Sequence, residues 1–260
     1  QQDFKTFLRK IGSGQETSQS LTRYESKEAF KLILTGQATP AQIGAFMIAH
    51  RIRRPEPQEL AGMIDSYIEL GPTIQSKQGE PKPICFGMPF DGRNRTSPTY
   101  PLTTLLLITA GQPVVLQGGK RMPIKYGITT AELFKALKIE LDHLPITTVQ
   151  NQLEKNKIAL IHQPTHFPLA DELIKYRDEI GKRPPLSTME LVWTAHRGPH
   201  LIIHGFVHKP TEKLCQETLK LLKEEHIICI KGLEGVIDLP TSRSCITGHF
   251  CEKIEKRIIL

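Results

Sequence analysis

Long apolar runs, paired cysteines, internal repeats and low-complexity segments are all missing from these 260 residues. No stretch approaches the roughly 20 apolar residues that cross a bilayer, and the opening QQDFKTFLRK lacks the apolar core of a signal peptide. No membrane role is expected, and a cytoplasmic home follows. The five cysteines, Cys85, Cys215, Cys229, Cys245 and Cys251, are odd in number and scattered, with no C-x-x-C pair. That excludes a disulfide framework, argues against a zinc site, and predicts reduced thiols. What the chain does have is length enough to bury a sizeable core as one large domain or two small ones. It also carries a formal charge of +7 with a pI near 9.1, a balance that favours anionic partners.

The first seventy residues read as helices. Phe4, Phe7, Leu8 and Ile11 fall at i, i+3, i+4, i+7 before Gly12. A second helix spans about 23–35 and stops at Gly36. Thr39-Pro40 supplies a cap and a pre-set φ for a third, whose inner face is Ile43, Phe46, Met47 and His50, with His50 expected as a packed edge residue. Pro55 and Pro57 restart the chain into a fourth, ended by Gly71-Pro72. After QSKQGEPKP the period changes. PICF, PVVLQ, KIALIH, LIIHGFV and IICI read as strands, separated by helices near 99–110, from Thr129 with a Thr129-x-x-Glu132 capping box, near 169–180 and near 211–225. Such alternation predicts βαβ units and a mainly parallel sheet. HFCEKIEKRIIL is left as a final strand or helix fragment.

The stretch LTGQATPAQIGAFMIAHRIRRPEPQELAGMIDS, Leu34 to Ser66, closely resembles the N-terminal helical domain of the anthranilate phosphoribosyltransferase and pyrimidine nucleoside phosphorylase superfamily. The later order of a glycine-bearing turn, a helix, VVLQGG and an acidic turn after IICI is similar to that family through nearly the whole chain. The resemblance implies an α/β fold: a helical domain over 1–75, joined by helices around 168–197, and an α/β domain over 80–165 and 198–260 with a mainly parallel sheet flanked by helices. It also implies a homodimer through the N-terminal helices.

The family's motifs are altered here. Its Gly-Thr-Gly-Gly-Asp turn, which cradles phosphoribosyl diphosphate on backbone N–H groups, corresponds to Gly87 through Asp91 and Gly92, with Met88, Pro89 and Phe90 between. Proline donates no N–H, and the two large side chains occupy the space a diphosphate needs. The family's Lys-His-Gly-Asn segment falls on Leu116, Gln117, Gly118 and Gly119, losing the lysine. Its paired magnesium-holding Asp-Glu falls on or near Glu234 and Gly235, one carboxylate where Mg²⁺ wants several hard oxygens. Arg183 matches the arginine that contacts anthranilate, in altered surroundings. These changes resemble the non-catalytic, nucleic-acid-binding YbiB-like branch, so no cofactor is expected.

From Lys77 to Lys125 seven basic residues stand against two acidic ones, a net of +5. Arg93, Arg95, Lys120, Arg121 and Lys125 are the candidate phosphate contacts for DNA or RNA without sequence preference, on loops at strand carboxyl ends, with Phe90, Tyr100 and Tyr126 interleaved for stacking. The competing expectation is an active, diverged phosphoribosyltransferase using Mg²⁺, with Asp91, Lys120, Arg183 and Glu234. His196, His200, His204 and His208 recur every fourth residue, but Gly198-Pro199 interrupts any helix, and a strand would spread the imidazoles by about 13 Å per step, too far for one ion. His162 and His166 are candidates to line the crevice, Trp193 reads as a core or interface anchor, and Glu224-Glu225 as an exposed helix end.

Overall fold

The computed structural model describes residues 3–251 and 254–259, Ile254 by its backbone alone. Four helices open the chain: α1 (Phe4–Ile11), α2 (Arg23–Leu34), α3 (Pro40–Arg53) and α4 (Pro57–Leu70). Their starts are written locally. The side chains of Asp3, Thr22 and Thr39 each accept a first-turn N–H, and Glu25 and Gln42 complete reciprocal capping boxes. Their apolar stripes, with Phe7, Phe30, Phe46 and Met63 fully buried, meet in one interior.

A carboxylate ties this helical layer together. Glu59 accepts the amides of Leu21 and Glu56, both at 2.8 Å, and pairs with Arg53 at 2.5 Å and His50 Nε2 at 3.3 Å. Burial pushes its carboxyl up, but His50, Arg53 and the Glu56 N–H outweigh burial and hold it at about 2. His50 is packed, as expected.

The chain continues through β1 (Ile74–Gln75), β2 (Ile84–Gly87), α5 (Tyr100–Thr109), β3 (Val114–Gly118), α6 (Thr130–Ala136), α7 (Ile146–Asn156) and β4 (Ile158–His162). Then come α8 (Gln163–His166), α9 (Pro168–Asp171), α10 (Ile174–Ile180), α11 (Leu186–Val192), β5 (His196–Arg197), β6 (Leu201–Phe206), α12 (Lys209–Leu221), β7 (His226–Lys231), β8 (Ile246–Cys251) and β9 (Ile254–Ile259). The main sheet runs β4-β3-β2-β6-β7-β8-β9, parallel through β7 and antiparallel at its last two strands. β3 and β4 are buried along their whole length, as strands covered on both faces must be. One apolar cluster joins the helical layer to one sheet face through residues such as Cys85, Phe167, Trp193 and Phe206, and a second covers the other face around Phe86, Leu116 and Phe134.

One expectation is corrected. The helix near 169–180 is broken into α9 and α10, because tightened turns carry the Leu173 N–H to Ala170 O and the Tyr176 N–H to Leu173 O while Leu173 enters the core. Of the two forms left open for the final fragment, strand is the one observed: its described residues lie in β8 and β9, paired antiparallel. Trp193 is a core anchor, edge-on to Tyr67 at 5.4 Å and tilted against Phe167.

Strand order reverses at β2. From there β3 and β4 step one way, β6 and β7 the other, and open α/β sheets form their ligand crevice outside the strand ends at such a switch point.

Candidate functional site

A cavity of about 610 Å³ lies at that point, bounded by the loops after β2, β6 and β7, the loop around Lys125, the start of α11 and Arg51 at the end of α3. Its charged lining is Arg51, Asp91, Arg95, Lys125, Arg183 and Glu234.

Beside it, the turn that in the family resemblance would cradle phosphate is full. The space among Met88, Phe90, Tyr100, Gly118 and Gly119 is about 10 Å³, barely one water. Met88, Phe90 and Met122 are buried there. The two glycines of the turn serve the protein's own packing. A Cβ on Gly87 would stand 1.8 Å from Leu191 O, so glycine is what lets α11 press onto β2, and a Cβ on Gly92 would meet the Gly127–Ile128 backbone at 2.6 Å.

The turn's hydrogen-bonding capacity is also spent internally. The Phe90 N–H donates to Glu190 Oε2 at 2.9 Å. Glu190 sits on α11 and pairs with buried Arg177 from α10, Nη1 to Oε1 at 2.6 Å and Nη2 to Oε2 at 3.3 Å, while Arg177 also donates to Ser187 Oγ. Burial pushes the Glu190 carboxyl up against the pull of Arg177 and the Phe90 amide, and Glu190 in turn keeps Arg177 firmly charged against its own burial. A side-chain carboxylate thus takes the loop amide that an anionic ligand would otherwise engage.

The remaining predicted residues are placed as follows. Gln117 is buried and donates to Trp193 O, away from the crevice, and Gly118 packs near Thr130. Asp91 is buried and holds Arg183, whose Nη2 lies 2.9 Å from Oδ2, with Lys125 Nζ at 3.7 Å from Oδ1. Glu234 accepts the Arg95 amide at 3.1 Å and the Asn94 amide at 3.4 Å, accepts the Thr96 hydroxyl, and lies 3.5 Å from Lys125. Burial pushes its carboxyl up, but Lys125 and these donors hold it below the usual carboxylate range. Arg93 is buried on Asp238, which also accepts the Thr99 hydroxyl. Lys120 pairs with Asp171 and Arg121 with Glu132, both on the surface. Arg95 is exposed on the cavity wall.

Magnesium, implied by the resemblance, does not fit these residues. Glu234 is committed to three donors and an ammonium, Asp238 to a guanidinium, and Asp91 to two cations, leaving no group of free hard oxygens among the described residues of the crevice. His162 and His166 bond locally, to Thr165 and to Leu144 O, so they are packed residues. Sequence reading missed Glu190 and Arg177. The available signal was an acid set among Met189, Leu191 and Val192 in an otherwise apolar helix. It missed too that Gly198 folds the chain so that His196 and His200 touch, Nδ1 to Nδ1 at 3.3 Å.

Residues 5–71 match the family model for the glycosyl transferase family, helical bundle domain. An uncharacterised protein of Aquifex aeolicus is 27% identical over 256 residues, 97% of this chain and 76% of that protein. An anthranilate phosphoribosyltransferase of Thermomicrobium roseum is 26% identical over 232 residues, 89% of this chain and 64% of the enzyme. Among solved structures, anthranilate phosphoribosyltransferase from Thermus thermophilus superposes with a TM-score of 0.78 at 17% identity, over 96% of this chain and 72% of that one. The Saccharomyces cerevisiae enzyme in complex with PRPP and Mg gives 0.77 at 14%, over 98% and 72%. At these identities the structural likeness speaks for the fold.

Proposed function

The chain belongs to the anthranilate phosphoribosyltransferase-like superfamily, and from that premise we propose a non-catalytic member whose strand-end crevice binds the phosphate backbone of DNA or RNA. The observation that carries the first half is the filled turn, where Met88, Phe90 and the Glu190 carboxylate occupy the phosphate's space and its amide partner. Transfer from a phosphoribosyl diphosphate depends on charge stabilisation by a preorganised cradle and metal, and neither set of groups is free here.

The second half rests on which cations remain available. Arg93 and Lys125 are locked inside by Asp238, Asp91 and Glu234 and drop out of the binding set. Arg51 and Arg95 face the cavity exposed, Arg183 is 41% exposed, and Lys120 and Arg121 are held by single surface pairs worth at most about 1 kcal/mol, which a phosphate can displace. Tyr126, half exposed beside Lys125, offers a stacking face. A homodimer through the helical layer is part of the same proposal, with Tyr24 on α2 and Ile52 on α3 exposed there.

Fluorescence anisotropy against mixed-sequence DNA and RNA at graded salt tests the reading. Four or five phosphate contacts give log Kd against log salt a slope of magnitude about 3 to 4, and Arg51→Ala with Arg95→Ala lowers it by about 2. Absence of binding at low salt, or binding indifferent to salt, overturns the nucleic-acid reading. Metal-dependent thermal stabilisation by phosphoribosyl diphosphate overturns the loss of catalysis.

A further inference from the structure

At the opposite end of the sheet from the crevice, where β2 and β6 begin, three buried side chains converge: Cys85, His196 and His200. One donor atom of each lies within 4.8 Å of the other two. We propose that this cluster is a binding site for a single zinc-class divalent cation, held by Cys85 Sγ and the Nδ1 atoms of His196 and His200.

The geometry of the pair carries the argument. The two Nδ1 atoms are 3.3 Å apart. Two nitrogens at about 2.0–2.1 Å from a tetrahedral zinc stand about 3.3–3.4 Å from each other, so the separation is that of adjacent corners of a coordination tetrahedron. The Gly198 carbonyl oxygen, 2.8 Å from His200 Nδ1, offers a fourth donor.

The hydrogen-bond pattern around the two rings is compatible with this site. The Ser76 N–H donates to His196 Nε2, so a neutral His196 carries its proton on Nδ1, facing His200 Nδ1. His200 Nδ1 must then accept from His196 while also lying against Gly198 O, itself an acceptor. Moving a proton onto His200 Nδ1 satisfies Gly198 but sets two N–H groups head to head. With the His196 proton on Nε2, accepted by Ser76 Oγ, Nδ1 is free to accept from His200 Nδ1–H, which also faces Gly198 O; that tautomer costs the Ser76 N–H its acceptor, and a cation in place of the His200 proton takes both Nδ1 lone pairs at once.

The surroundings suit the bound state. Glu224 Oε2 lies within ion-pair distance of His200 Nε2, at 3.0 Å, and a small reorientation would make it the carboxylate partner that ligating histidines commonly have, while Ser76 Oγ lies 3.0 Å from His196 Nε2. On binding, the His196 proton shifts from Nδ1 to Nε2 and is accepted by Ser76 Oγ, the half-buried Ser76 amide releases its bond, and the Cys85 thiol loses its proton to solvent. One proton leaves per ion. A cavity of about 290 Å³, lined by both histidines and by Glu224 and Glu225, gives the entry path.

The test is a cobalt(II) titration of the chelator-treated chain, with zinc content measured on the protein as purified. Expected are one zinc per chain and, on adding cobalt, visible bands of tetrahedral cobalt with thiolate charge transfer, saturating at one equivalent. Cys85→Ser removes the charge-transfer band, Cys215→Ser, altering a buried thiol outside the cluster, keeps it, and Glu224→Gln weakens affinity by about 10- to 100-fold. Should Cys85→Ser fail to fold, His200→Ala at the cavity wall reads the same loss. No saturable cobalt spectrum, or a spectrum unchanged in the folded variants, overturns the site.

Discussion

Changing Glu190 to Gln leaves shape almost intact and removes one charge, so it isolates what the buried carboxylate does. Its partner Arg177 has a side chain only 2% exposed and held by Glu190 and Ser187. Breaking a buried pair on one side strands the other charge and costs about 3–5 kcal/mol. The carboxamide introduced by Glu190→Gln would also turn a donor toward either Arg177 or the Phe90 N–H. Against a total stability of about 5–15 kcal/mol that is a large fraction, and for a chain of this size about 4 kcal/mol lowers the melting temperature by about 8–16 °C. Urea denaturation followed by circular dichroism measures it, with hydrogen exchange at the Phe90 amide as a local readout. The double variant Arg177→Met/Glu190→Leu removes both charges and is expected to cost less than either single change. A loss under about 1 kcal/mol for Glu190→Gln, or a double variant that sums the two singles, refutes the carboxylate as the turn's internal anion.

Glu59 gives a pH prediction. Its folded pKa of about 2 lies below the ordinary 4.5, so its contribution is complete above pH 4.5 and is lost as pH falls toward 2. The shift corresponds to about 3 kcal/mol. Denaturation at pH 7, 5 and 3 should show that decline, flattened in Glu59→Gln, and an equal slope in the variant contradicts the assignment. Gly87→Ala places a methyl 1.8 Å from Leu191 O and is expected to destabilise by at least about 3 kcal/mol, or to abolish soluble expression; a wild-type melting curve refutes the tight approach of α11. Thermal shift with phosphoribosyl diphosphate and Mg²⁺ should show no metal-dependent gain in the wild type or in Arg183→Ala; a gain in the wild type that Arg183→Ala abolishes would assign that arginine to this ligand instead of to the Asp91 pair and a nucleic-acid phosphate.

The helical layer was legible residue by residue, because Thr39, Pro40 and Pro57 act through their nearest neighbours. The strands were legible from apolar runs, and the crevice from the rule that ligands meet strand ends at a switch point. The bulk of Met88 and Phe90 was visible as well. What filled the turn's bonding capacity was not, since Glu190 lies 100 residues from Phe90 and reads locally as an acid on an apolar helix. The charge count over 77–125 could not show which cations are free for the same reason: Asp238 comes from outside that segment to lock Arg93, while Asp171 and Glu132 make only surface pairs with Lys120 and Arg121. His196 and His200 meet through a turn at Gly198, where linear spacing predicted separation.

In an enzyme whose turn waits for a ligand, occupancy follows metabolite concentration, and the loop has an empty and a loaded form. Here the anion is tethered to helix α11 by its own backbone, at a local concentration that never varies. The turn is thereby held in a loaded posture by the chain's own carboxylate, and the neighbouring crevice takes that turn as one of its walls.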